Sequence, residues 1–301
     1  MIKKDVNVML FRGSGVALIT PFTKENQIHY EKLEELIHFH IHEQTDALII
    51  GGTTGEASTL SFSEKKEMIQ FCVKQNNHQI PLIAGTGGNN TEQVIKLTKT
   101  AQDLGVDGAL IVTPYYNKCN QEGLYRHYEK IANACQNLPI ILYNVPSRTG
   151  VDISMDTLIQ LSNIPNIVGI KEASPDLHKI ASLRLKLKDD FAIYSGNDDL
   201  LLPTLSLGGD GVISVLANLY PKAVHEICYQ YFNHNLPKSQ ALFYQYFDLI
   251  HALFLDVNPI LVKEAMNILG YQVGDTRLPL CSSSSKNLQI LKQELQKLQI
   301  E

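Results

Sequence analysis

Lys171 stands at the end of an apolar run, Ile167-Val168-Gly169-Ile170, in this chain of 301 residues. A lysine emerging from such a run loses hydration, which lowers its pKa and frees the neutral amine to attack a carbonyl. The same spacing also suits a structural lysine paired with Glu172, and spacing alone leaves the two readings even. Thr53 and Thr54 sit between glycines in Gly51-Gly52-Thr53-Thr54-Gly55-Glu56. Turn N–H groups and two hydroxyls there could hold a carboxylate, although a tight loop that merely needs small residues would look alike. Arg148 follows Pro146, and its planar fork suits a carboxylate; a plain surface arginine is the commoner case. Tyr115, Tyr116 and Tyr143 could relay protons, but tyrosines of this kind more often pack.

Other patterns carry less. His38, His40 and His42 would share a face on a strand, but the surrounding apolar period is helical and separates His40 from the other two, which argues against a metal site. Gly208-Gly209-Asp210-Gly211 precedes an apolar run instead of following one; with Ser195-Gly196 it leaves a phosphate-binding barrel open as a reading. The five cysteines, Cys72, Cys119, Cys135, Cys228 and Cys281, form no CxxC pair. Their odd number argues against a disulfide framework or zinc ribbon and fits a reducing, cytoplasmic compartment. A net charge of −5 offers no basic footprint for nucleic acid. Lys3 and Lys4 precede an apolar run, Val8-Met9-Leu10-Phe11, that is too short for a signal-peptide core, and no segment reaches transmembrane length.

These residues need elements to position them. With 44% hydrophobic and 19% charged residues the chain can bury a large core. Eight short apolar runs recur: Val16–Thr20, Ala47–Gly51, Pro81–Ala84, Gly108–Thr113, Ile140–Tyr143, Ile167–Ile170, Ala192–Tyr194 and Gly211–Val215. Each is nearly continuous in hydrophobicity, as in a strand buried on both faces. Between them lie stretches of helical period, such as Tyr30–Glu43 and Thr91–Asp103. Capping residues mark helix starts at Ser63, at Asn90 or Thr91, and at Ser154, and Gly105 marks a stop. Alternation of this kind implies a parallel sheet, and eight units without a dinucleotide glycine loop after the first strand imply a closed α/β barrel. After residue 232 the alternation ends. Ala241–Phe254, Pro259–Leu269 and Asn287–Leu298 read as helices, and Ser282–Ser285 as a flexible joint. The expected architecture is therefore a (β/α)8 TIM barrel over 1–232 with a C-terminal helical appendage over 233–301. Its active site belongs at the C-terminal ends of the strands, where Thr53, Thr54, Tyr116, Tyr143, Arg148, Lys171 and Gly196 all fall.

Taken together, these stretches resemble one family. Gly15–Phe22, Gly51–Leu60, Ala84–Gly87, Thr113–Asn117, Leu142–Gly150, Gly169–Ala173, Ser195-Gly196 and Gly208–Val215 are similar to the motifs of the dihydrodipicolinate synthase family of pyruvate-dependent class I aldolases. Asn258-Pro259 and Arg277–Leu280 match more loosely. The resemblance implies condensation of pyruvate with L-aspartate 4-semialdehyde, in lysine and diaminopimelate biosynthesis. It implies that Lys171 forms the imine, that Thr54 helped by Thr53 holds the pyruvate carboxylate, and that Tyr143 moves protons. Thr53 and Tyr116 would complete the relay, with Tyr116 supplied by a neighbouring subunit of a homotetramer built as a dimer of dimers. Arg148 would bind the carboxylate of the semialdehyde, and Gly196 and Ile213 would line the pyruvate pocket. No metal or organic cofactor is implied, since the lysine is the electron sink. The family's inhibitor cleft would comprise Ala57, Ser58, Phe62, Lys65, Asn89, Gln93 and Tyr115; Lys65 and Gln93 replace residues common in lysine-sensitive relatives, so weak or absent inhibition is expected. Departures from the usual pattern occur at Asn197, at Leu261 and in Cys281–Lys286. Rival readings are an N-acetylneuraminate lyase or 2-keto-3-deoxy-sugar acid aldolase, and a non-catalytic barrel that senses keto acids.

Overall fold

The computed structural model describes residues 9–299; Lys3, Lys4 and Val8 lie outside them. Eight parallel strands close into a barrel in sequence order: β1 (Gly13–Ala17), β2 (Ala47–Ile50), β3 (Leu82–Gly85), β4 (Gly108–Val112), β5 (Ile140–Asn144), β6 (Ile167–Glu172), β7 (Ala192–Ser195) and β8 (Gly211–Ser214). Helices between them cover the outer face, and this makes each strand apolar on both sides. Inward-facing residues such as Ile49, Ile83, Leu110, Ile141, Tyr194 and Ile213 fill the barrel. Its N-terminal end is plugged by Phe11 stacked on Tyr194 at 4.3 Å, with the Tyr194 hydroxyl donating to the Phe11 carbonyl. Polar chemistry is thereby confined to the opposite rim.

One irregularity decides which side chains reach that rim. Ile140 pairs with Ile167, but Ile141 pairs with Gly169, so β6 carries an extra residue against β5. Side chains alternate along a strand, so a one-residue shift exchanges its two faces. The shift places Lys171 inside the barrel beside Tyr143 and turns Glu172 outward. Gly169 permits the close approach: a Cβ there would lie 2.7 Å from the Ala192 carbonyl oxygen.

Three expectations need correction. The first strand is Gly13–Ala17, not Val16–Thr20; Leu18 and Ile19 are buried but belong to the loop, where the Ile19 N–H donates to the Asn218 side chain. The helix Phe62–Asn76 is capped by Ser61, not Ser63, in a reciprocal box with Glu64. Ser282–Ser285 is no free joint: the Ser283 hydroxyl donates to Asp256 at 2.7 Å and Ser285 begins the last helix, Ser285–Gln299. Helices Leu236–Leu253, Ile260–Ile268 and Ser285–Gln299 pack on one another, burying Leu249, Val262, Leu291 and Leu295. Among the described residues no helix is long and apolar enough to cross a membrane.

Candidate active site

Lys171 and Tyr143 are register partners on β6 and β5, both buried. The Lys171 Nζ lies 4.5 Å from the centre of the Tyr143 ring. Burial brings the Lys171 pKa down to about 8; the buried Asp198 carboxylate opposes that fall and the Arg148 guanidinium adds to it. About one lysine in ten is then neutral at pH 7, against fewer than one in a thousand for a free lysine. The pairing with Glu172 considered above does not form. Glu172 faces outward and accepts from the Asn144 amide at 2.9 and 3.0 Å and from the Ser174 N–H at 2.8 Å, with the Lys179 ammonium at 3.4 Å. Burial raises the Tyr143 pKa, while Arg148 and a hydrogen bond with the Thr53 side chain pull it back.

Lys171, Tyr143, Thr53, Thr54, Arg148 and Gly196 line one cavity of about 200 Å³. The Thr54 hydroxyl accepts from the Asn258 side-chain amide at 2.9 Å, which leaves its own proton free for an anion. Arg148 sits on a short helix, Pro146–Thr149, and donates to the Asn258 carbonyl at 3.3 Å. Gly196 lets the wall approach the lysine, since a Cβ would meet the Ala173 Cβ at 2.5 Å. Ile213 is buried in the inner cluster on β8, and Val215, two residues on, lines the cavity. A wider cavity of about 350 Å³ shares Thr53, Tyr143 and Arg148 and leads outward past Ala57, Ser58, Lys65 and Tyr115.

Sequence reasoning passed over four residues around the site. Asp198 is buried, accepts from the Val215 and Leu216 N–H groups at 2.9 and 3.0 Å, and supplies the negative potential at Lys171. Asn258 bridges Thr54 and Arg148. Glu56, in left-handed conformation just after Thr53-Thr54-Gly55, forms a fully buried ion pair with Lys263 at 2.9 Å and accepts from the Arg277 N–H at 2.8 Å. Lys263 also donates to the carbonyls of Thr20 and Asp275 and lies 4.3 Å over the Phe22 ring. The appended helices thus hold the threonine loop in place. A lysine amid Ile260-Leu261-Val262 and Ala265-Met266 was the one available signal: a charge on an apolar helix face asks for a buried partner.

The chain does not bring Tyr116 to Tyr143 and Thr53. Tyr116 is 91% exposed and adopts φ +69°, a backbone conformation unfavourable for a bulky side chain. His40 is buried against Thr45 and kept neutral by burial, its pKa near 3, while His42 meets Glu43 at the surface. Among the described residues no group of three or more His, Cys, Asp or Glu side chains is placed to hold a metal ion.

The sequence profile of the dihydrodipicolinate synthetase family matches residues 10–298. The chain belongs to this family. It is 50% identical over 287 residues to the 4-hydroxy-tetrahydrodipicolinate synthase of Clostridium novyi (strain NT), covering 95% of this chain and 96% of that one. Among solved structures, dihydrodipicolinate synthase from Aquifex aeolicus superposes with a TM-score of 0.94 at 43% identity, over 96% of this chain and 98% of the other. The enzyme of the same family from Cyanidioschyzon merolae, solved with lysine bound, gives 0.94 at 39% identity over 97% and 99%. The closed eight-stranded barrel with its helical C-terminal region is therefore the fold of the family.

Proposed function

We propose that this chain is a 4-hydroxy-tetrahydrodipicolinate synthase that condenses pyruvate with L-aspartate 4-semialdehyde for lysine and diaminopimelate biosynthesis. Relatives of that name, half identical over nearly the whole chain, support the activity. The observation that carries the mechanism is a buried amine beside a buried phenol in a cavity with two separate places for a carboxylate. Neutral Lys171 adds to the pyruvate carbonyl, and loss of water leaves a protonated imine. Thr54, with Thr53, holds the pyruvate carboxylate. Tyr143 takes a methyl proton to give the enamine, whose carbon attacks the aldehyde, and Tyr143 returns a proton to the new alkoxide. The substrate amine then displaces Lys171 from the imine carbon and closes the ring, so that one water is released overall and the lysine is regenerated. Gly196 and Ile213 shape the wall beside the imine. No metal or organic cofactor takes part in this scheme. We read 1–232 as the catalytic barrel and 233–301 as a helical region that braces it.

Turnover of L-aspartate 4-semialdehyde with pyruvate, compared with N-acetylneuraminate and 2-keto-3-deoxy acids, tests the reading. Cleavage of a sugar acid without semialdehyde turnover would refute it. Imine trapping without turnover of any of them would favour the keto-acid sensor. Arg148 is assigned to the semialdehyde carboxylate. A charge-assisted contact of this kind is worth about 1.5–3 kcal/mol, so Arg148→Ala should raise the KM for semialdehyde by roughly one to two orders of magnitude while pyruvate trapping survives. An unchanged KM would remove Arg148 from that role.

We assign Tyr116 to the active site of a neighbouring subunit in a homotetramer. Its exposure and unfavourable φ support this, because such a conformation persists only where surroundings reward it. Tyr116→Phe protein reassembled with Lys171→Ala protein should recover activity in those sites that hold both intact groups. No recovery after demonstrated subunit exchange would refute the assignment. Five free cysteines, three of them buried, support a reducing cytoplasmic setting.

Inhibition by L-lysine is expected to be weak or absent. A cleft of about 340 Å³ is lined by Phe62, Lys65, Asn89, Gln93, Lys96 and Tyr115, with two ammonium groups and no carboxylate among its lining residues. The adjacent acid, Glu92, pairs with Lys130 instead. Loss of one charge-assisted contact costs about 1–2 kcal/mol, and Lys65 repels a cationic ligand. Initial rates with saturating pyruvate, measured while lysine is titrated to the millimolar range, check this; strong inhibition at submillimolar lysine would contradict it.

A further inference from the structure

Asn258 is buried in the wall of the 200 Å³ cavity, 6% exposed, and uses its polar groups unequally. Its side-chain amide donates to the Thr54 hydroxyl and its backbone carbonyl accepts from Arg148. Its side-chain oxygen Oδ1 is buried and has no hydrogen-bond partner among the described residues. Buried acceptors are nearly always satisfied in folded proteins. The reverse amide orientation would turn an N–H2 donor toward a cavity that already holds the Arg148 and Lys171 cations, and would take the Thr54 proton away from an incoming carboxylate. The acceptor therefore faces the cavity.

Its neighbourhood gives it a ligand. Arg148, held by the backbone of this same residue, is the group assigned to a substrate carboxylate. An acceptor one side chain away from a carboxylate-binding guanidinium matches the pair of charges on an α-amino acid, where carboxylate and ammonium share one carbon. We propose that Asn258 Oδ1 receives the α-ammonium of the second substrate and is the residue by which the site selects an amino-acid semialdehyde over its deaminated analogue. This rests on the reading of the second substrate given above. Asn258 also acts as a positioning residue for pyruvate, through the Thr54 hydroxyl that it fixes.

The test compares L-aspartate 4-semialdehyde with 4-oxobutanoate, which has the same aldehyde and carboxylate and no amine, at saturating pyruvate. In the wild type the analogue, measured as a competitive inhibitor, should bind at least about 10-fold more weakly than the semialdehyde; equal affinity overturns the proposal without any variant. Asn258→Leu should raise the KM for the semialdehyde at least about 10-fold and move the Ki of 4-oxobutanoate less than about 2-fold. Equal weakening of both would reduce Asn258 to a packing role and overturn the proposal, as would an unchanged KM. Asn258→Asp keeps an acceptor toward the cavity and loses the N–H toward Thr54. It should leave the KM for the semialdehyde within about 3-fold of wild type while raising the KM for pyruvate, and the opposite split overturns the proposal. Absence of semialdehyde turnover in the wild type would overturn the reading of the reaction together with this one; failed discrimination with intact turnover overturns this one alone.

Discussion

Replacing Lys171 with alanine is expected to abolish borohydride trapping of pyruvate and to lower turnover by at least about three orders of magnitude, the scale on which loss of a covalent nucleophile is felt. The nucleophile is the neutral amine, and burial lowers the Lys171 pKa to about 8. Protonation below that value removes the nucleophile. The rate of imine trapping should therefore climb as pH rises from 6 and level off above about 8, two units or more below the limb of an ordinary lysine. Peptide mapping of the reduced adduct locates the modified residue. Modification at any other lysine, or a rising limb near pH 10, would refute the role given to Lys171.

The second large effect concerns stability. Lys263→Met removes one partner of the buried Glu56 ion pair and strands a carboxylate that has no access to water. Breaking a buried pair in this way costs about 3–5 kcal/mol, whereas replacing both partners with neutral groups is often nearly harmless. The single variant should unfold at markedly lower denaturant. Lys263→Met combined with Glu56→Gln should recover most of the loss. Because Glu56 follows the threonine loop directly, the single variant should also hold pyruvate less well than the double. A single variant as stable as wild type would show that the pair contributes nothing to the fold.

The barrel was legible in the sequence because strands covered on both faces must be apolar throughout, and seven of the eight runs fall on the strands within two residues. The first run missed for a physical reason. Gly13-Ser14-Gly15 is small because the space beside it is taken: a Cβ on Gly15 would lie 2.6 Å from Ile49 and 2.8 Å from Phe11. Hydrophobicity cannot reveal a strand built from residues chosen for lack of volume. Lys171, Tyr143, Thr53, Thr54 and Arg148 were legible as strand-end residues, and the fold brings them to one cavity. That Lys171 faces inward depends on the register shift opposite Ile140, which no local pattern announces. Asn258, Lys263 and Glu56 were hidden because their meaning lies in contacts across more than 200 positions of chain.

Those long contacts put the site on a schedule. All eight strands, and the lysine and tyrosine they carry, are synthesised before residue 258. Domains tend to fold from the N-terminus as the chain emerges. A nascent chain could therefore close its barrel while the loop bearing Thr53 and Thr54 still lacks Asn258, Lys263 and Arg277, the groups that fix it. A ribosome stalled within the helix Leu236–Leu253 would display the nucleophile without the means to seat its first substrate. Reactivity toward keto acids then arrives only with the final quarter of translation, and an unfinished chain is left chemically quiet.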